Sequence, residues 1–160
     1  MKNNKDIMRG GIIAALYVVL TMLSSALGLS SGAVQLRLSE MLCVLPCFTA
    51  SAVPGLFLGC LLANTLTGCV PVDIVFGSLA TLLGAWGTRR MRRRPRLALL
   101  PPIVFNTITV PLLMKYAYGI KGAFLFFAIT AGAGEILSAG VLGYCLYKTI
   151  ARQPRLMELL

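Results

Sequence analysis

The chain has 160 residues, of which 58% are hydrophobic and only 12% charged. Its mean hydropathy is +0.84, and a water-soluble domain of this length has no interior large enough to hide that much apolar surface. The formal net charge is +10, and twelve of the fifteen Lys and Arg residues lie in the two ends and one loop, which speaks against nucleic acid and for the positive-inside pattern of a membrane protein.

The first predicted element is an apolar span over 8–29 with a basic start at Lys2, Lys5 and Arg9. Its basic start and small-residue end imitate a signal peptide, but the apolar stretch outruns the usual length, so it is read as retained. Gly10–Ala14 and Gly11–Ala15 are small residues four apart, a spacing that lets helices approach closely, inside a bundle or against a partner. A polar segment over 30–39 follows, with Gln35, Arg37 and Glu40 at its exit.

From there to Thr88 the chain is nearly all apolar, broken at Pro54–Gly55 and at Gly68, Pro71 and Asp73. With the N-terminus and the basic loop 89–96 both cytoplasmic, this stretch must cross an odd number of times, and one crossing would be far too long. Three spans are expected, over 39–50, 54–66 and 72–88, the first two so short that they require tilt or local thinning of the bilayer. A fifth span covers 97–114. The outer loop 115–122 places Tyr116 and Tyr118 as interface anchors, and a sixth span over 123–147 returns to Lys148, Arg152 and Arg155. The expected fold is an all-α integral membrane bundle, a single domain over 1–160 with six transmembrane helices and both termini cytoplasmic. No internal repeat supports an inverted-repeat carrier.

Catalysis finds little footing. The chain has no His, no GxSxG, no HExxH and no GxxxxGK[ST], so it is not expected to be an enzyme or to hydrolyse ATP itself. Cys43, Cys47, Cys60, Cys69 and Cys145 form no CxxC pair and read as small apolar fillers, so neither a metal nor a cofactor is expected.

Ionisable residues inside an apolar body are costly and are usually kept for function. Arg37, Glu40, Asn64 and Asp73 fall at the outer ends of spans or in outer connections. Asn106 and Glu135 fall near the middle of the last two spans, with Gly132 and Gly134 removing bulk beside Glu135. Together they describe a pocket opening outward, lined by three carboxylates, one guanidinium and amides. That surplus of carboxylates suits a cationic ligand or one rich in N–H donors. Phe105, Tyr116, Tyr118 and Phe124 offer stacking surfaces. Purely structural readings stand beside these: Arg37 pairing with Glu40 three residues on, and Asp73 capping the helix after Pro71.

The runs Val34-Gln-Leu-Arg-Leu-Ser-Glu40, Gly55-Leu-Phe-Leu-Gly-Cys-Leu-Leu-Ala-Asn64, Asp73-Ile-Val-Phe-Gly-Ser-Leu-Ala-Thr-Leu82 and Gly134-Glu135 together resemble the queuosine-precursor transporter family. Its members are substrate-binding (S) subunits of energy-coupling factor (ECF) transporters. The resemblance runs from about Gly10 to Lys148. It implies an S subunit in a prokaryotic plasma membrane that takes a 7-deazaguanine such as preQ1, or queuine, from outside. The implied partners are a transmembrane coupling subunit and two ATPase subunits. On this resemblance Glu40, Asp73 and Glu135 read the ligand's donor edge and any aminomethyl cation, and Gln35, Arg37, Asn64 and Asn106 complete the contacts. Gly10, Gly11, Ala14 and Ala15 resemble the family's docking motif, with Gly where Ala usually leads. The Glu135→Gln change is expected to abolish binding without unfolding the protein. The rival readings are an ion-coupled small-solute or multidrug carrier with Glu135 as its proton site, an S subunit for another vitamin-like ligand, and a non-transporting membrane protein.

Overall fold

In a computed structural model the described residues are 2–29, 35–119, 124–153 and 156–157. The expected features at Val34, Lys121, Ala123 and Arg155 lie outside them. Among the described residues every regular element is helical. Six helices follow one another: α1 (Lys2–Ala26), α2 (Leu38–Cys47), α3 (Ala52–Leu66), α4 (Pro71–Arg90), α5 (Pro95–Tyr116, broken at Leu99) and α6 (Phe124–Arg152). Three of them, α1 from Asn4 onward, α5 and α6, are long and apolar enough to cross a membrane.

Local chemistry sets the ends of these helices. Gly28 closes α1 in the left-handed region at φ 70°, while the Leu29 N–H reaches back to the Ser24 carbonyl at 2.9 Å. Gly68 does the same after α3 at φ 73°, with the Cys69 N–H on the Asn64 carbonyl at 3.0 Å. Glycine takes that conformation without a Cβ clash, which is why it ends helices so often. Pro71 then opens α4 at a position where its missing N–H leaves no helical bond unmade.

The α2 segment departs most from a regular span. It is a 3-10 helix of 10 residues with Pro46 inside it. At about 2.0 Å per residue it is ~20 Å long, against ~30 Å for a hydrocarbon core. Ser39, Glu40 and the run Leu42–Pro46 are all buried, as expected of a helix that is apolar nearly all round and therefore belongs to the core. It packs against α1, α4 and the second half of α6. Three hydrogen bonds fasten its start to α1. Tyr17 O–H donates to Glu40 Oε1, Thr21 O–H to Ser39 Oγ at 2.8 Å, and the Leu38 N–H to Ser24 Oγ at 2.9 Å. Tyr17, Thr21 and Ser24 recur at helical spacing, so one polar stripe of α1 meets three consecutive residues of α2.

The small residues of α1 serve its packing on α3. A Cβ on Gly55 would lie 2.7 Å from the Gly10 carbonyl oxygen, and one on Gly59 would lie 3.0 Å from Ala14 Cα. Gly10 and Ala14 are thus used within the bundle, whereas Gly11 and Ala15 are exposed. A Gly55→Val variant is expected to lose about 1–3 kcal/mol of stability from this overpacking, read as a lower Tm in detergent.

Outside and inside are inverted relative to a water-soluble protein. Ile12, Leu16, Val19 and Leu23 of α1, Leu58 and Leu62 of α3, and Val104 and Ile108 of α5 face outward, while Thr21, Ser24, Glu40, Asn64 and Asn106 are buried. Such a body has lipid as its solvent, and its interior polar pairs help hold helices together where no hydrophobic force separates leucine from lipid.

Candidate functional site

At one end of the bundle a cavity of about 250 Å³ opens between the chain before α2, the α3–α4 turn and the end of α5. Gln35, Arg37, Thr67, Asp73 and Tyr118 supply its polar side, and Val110, Leu113 and Met114 of α5 its apolar wall. Asp73 sits in the first turn of α4, where the helix dipole favours a negative charge. Gly77, one turn further, makes room for it: a Cβ there would come within 2.9 Å of Asp73 Oδ1 and 3.2 Å of Asn64 Nδ2.

Two hydrogen bonds organise this cavity. Tyr118 O–H donates to Asp73 Oδ2 at 2.6 Å. Partial burial, together with that bond and the charge of Asp73, holds the Tyr118 phenol above its ordinary range, so it remains a neutral donor. Arg37 Nη2 donates to Asn64 Oδ1 at 2.7 Å, and Asn64 is fully buried beneath it. Arg37 and Asp73 line the same space without an ion pair among the described residues. A ligand there meets a carboxylate acceptor, a guanidinium and a primary amide.

A second polar cluster lies deeper. Glu40, 1% exposed, accepts from Tyr17 on one oxygen and from Asn106 Nδ2 and Cys43 Sγ on the other, both at 3.2 Å. Asn106 Nδ2 also donates to Glu135 Oε1 at 3.2 Å. One amide of α5 therefore bridges a carboxylate of α2 to a carboxylate of α6. Glu135 Oε2 is buried without a hydrogen-bond partner among the described residues, as are Ser138 Oγ and Thr107 Oγ1. Ile136–Leu142, just past Glu135, is wound as a π-helix. Gly134 is required here because a Cβ on it would collide with the Gln35 carbonyl. That close contact seats the chain entering α2 directly on α6.

The residues singled out in the sequence thus divide into two groups. Gln35, Arg37 and Asp73 line the cavity, and Asn64 lies one hydrogen bond below it. Glu40, Asn106 and Glu135 meet one another but are not among the residues lining that cavity. The structural alternatives are not realised: residue 37 is extended, at φ −103° and ψ 107°, and its side chain bonds Asn64 rather than Glu40. Asp73 lies inside α4, after Val70, and caps nothing through its side chain. Tyr118, expected as an interface anchor, turns its hydroxyl onto Asp73, and Tyr116, Phe105 and Phe124 are exposed like it. Tyr17 and Cys43 were not anticipated. The polar stripe Tyr17–Thr21–Ser24 within an apolar helix was the available signal for the first; a cysteine three residues after Glu40 gave none.

The family model described as QueT transporter matches residues 7–152. The chain belongs to the QueT transporter family. This bears out the family resemblance carried by the motifs at 34–40, 55–64, 73–82 and 134–135. Over 85 residues the chain is 39% identical to Queuosine precursor transporter QueT of Lactococcus lactis subsp. cremoris (strain MG1363). The overlap covers 52% of this chain and 50% of that relative, so the match spans about half the length of the curated protein. No solved structure matches. The QueT match takes in every residue of both polar clusters.

Proposed function

We propose that this QueT family chain is the substrate-binding subunit of an ECF-type importer that captures a queuosine precursor from outside the cell. Its family membership over residues 7–152 is the observation that carries the reading. The ligand class is a 7-deazaguanine such as preQ1, or queuine, and the site is the cavity bounded by Gln35, Arg37, Asp73 and Tyr118. At about 250 Å³ the space is small beside the ~300–1,000 Å³ of pockets for drug-sized ligands. It suits one fused-ring base better than a nucleoside. Asp73 would accept from an aminomethyl ammonium or an N–H edge, Gln35 and Arg37 would meet a ring carbonyl, and the α5 wall would cover a ring face. In this reading Glu40, Asn106 and Glu135 act from beneath, fixing α5 and α6 under the cavity.

The chain has no phosphate-binding loop, so the energy would come from a transmembrane coupling subunit and two ATPase subunits. The exposed Gly11 and Ala15, backed by Gly10 and Ala14 against α3, would be the docking face. Both termini and the 89–96 loop would be cytoplasmic, in a multi-pass plasma-membrane topology.

Calorimetric titration of the detergent-purified chain with preQ1, queuine and guanine tests the ligand class. A 7-deazaguanine is expected to bind at least about tenfold tighter than guanine, a margin one charge-assisted hydrogen bond provides. Equal affinity for all three, or no binding, overturns it. Uptake in proteoliposomes is expected only with the coupling and ATPase subunits and ATP. Uptake by the chain alone, driven by a proton gradient, would support the carrier reading built on Glu135.

A further inference from the structure

A second cavity, of about 410 Å³, lies at the opposite end of α4 from Asp73 and is lined by Trp86, Arg89, Arg90, Arg92 and Arg93. Arg89 is partly committed, donating through Nη1 to the Pro46 carbonyl at 3.0 Å. Arg96, just outside the cavity, bonds the Tyr144 hydroxyl at 3.3 Å. Arg90, Arg92 and Arg93 have no hydrogen bond or ion pair among the described residues. Three unpaired guanidinium groups thus face one concave space.

The positive-inside rule accounts for basic residues in this loop, but not for what they adjoin. Val72, Phe76, Leu79, Leu83 and Trp86 are all exposed and recur at intervals of three and four, which places them on one face of α4. That apolar stripe runs directly into the arginine cavity through Trp86, 62% exposed and lining it. From Phe76 to Trp86 the helix rises ~15 Å at ~1.5 Å per residue, about half of a ~30 Å hydrocarbon core. An apolar track one leaflet long, ending in unpaired cations beside an exposed tryptophan, complements one kind of molecule in both chemistry and length.

We propose that this end of α4 binds an anionic phospholipid, its phosphate held among Arg90, Arg92 and Arg93 and an acyl chain laid along Trp86, Leu83, Leu79 and Phe76. Free phosphate would satisfy the arginines but has no use for the stripe. Guanidinium forks suit phosphate oxygens in particular, since they donate two parallel hydrogen bonds.

Native mass spectrometry of the full chain, released from micelles doped with phosphatidylglycerol or phosphatidylcholine, tests this. Retention of phosphatidylglycerol is expected to exceed that of phosphatidylcholine at least about tenfold, since each basic residue near the surface favours an anionic headgroup. The R90Q/R92Q/R93Q variant is expected to lose that preference, whereas R94Q, which changes a neighbouring arginine outside the cavity lining, keeps it. W86A is expected to weaken retention while all the arginines remain. No preference in the unaltered chain overturns the proposal whatever the variants do, as does equal loss in R94Q. Displacement of the lipid by millimolar inorganic phosphate, with W86A without effect, would overturn the lipid in favour of the free anion.

Discussion

An Asp73→Asn variant is expected to bind an aminomethyl 7-deazaguanine roughly 10- to 100-fold more weakly than the parent chain, with the fold unchanged. The magnitude follows from losing a hydrogen bond to a charged group, ~1.5–3 kcal/mol, with each 1.4 kcal/mol worth about tenfold. Asparagine has nearly the same shape. It retains an oxygen to accept from Tyr118, now 2.6 Å from Asp73 Oδ2, and stays beside Gly77, whose missing side chain leaves it room. The control is guanine, which carries no ammonium group and should lose much less. Calorimetry on both ligands decides the matter: an equal loss for the two would make Asp73 a general acceptor, and no loss would remove it from the site. Tyr118→Phe should act in the other direction for a cationic ligand, because it frees a lone pair of the carboxylate while removing a neutral donor. Its effect is expected to stay below that of Asp73→Asn.

How much of this was readable in advance depends on the kind of signal each residue carried. Helix number followed from apolar runs punctuated by Gly28, Gly68 and Pro71, because those residues mark chain reversals whatever packs around them. The winding of α2 was not readable. Its ten residues are apolar enough for a span, and only the tertiary setting, with α1 donating at Ser39 and Glu40, fixes them as a buried 3-10 segment. The charged residues were conspicuous because lipid-like surroundings make each one costly. Their partition was hidden, since sequence spacing does not say that Asn106 faces both Glu40 and Glu135 across three helices. The π-helix over Ile136–Leu142 likewise has no local sequence mark. The bond from Tyr118 to Asp73 has no sequence mark: an aromatic at the end of a span is commonly an interface anchor, and nothing nearby in sequence points to Asp73, forty-five positions away.

That hidden partition makes the two deeper carboxylates respond differently to substitution. Glu40→Ala is expected to destabilise the protein by about 3 kcal/mol or more, because it removes the acceptor for Tyr17, Asn106 and Cys43 together. A buried donor left unsatisfied costs ~1–3 kcal/mol, and Tyr17, itself 1% exposed, is shut off from bulk solvent. In thermal unfolding in detergent this should appear as a fall in Tm on the order of 10 °C. Glu135→Gln should leave Tm within a few degrees of the parent, since its side-chain carbonyl can still accept from Asn106 and glutamine keeps the size and shape of the side chain. Affinity for the deazaguanine is nevertheless expected to drop in Glu135→Gln, because the bond by which Asn106 holds α5 to α6 under the cavity is altered. The two variants thus separate a framework role for Glu40 from a role of Glu135 in ligand binding. Equal Tm losses in the two variants would show that the pair works as one structural unit, and the functional role given to Glu135 would then fall.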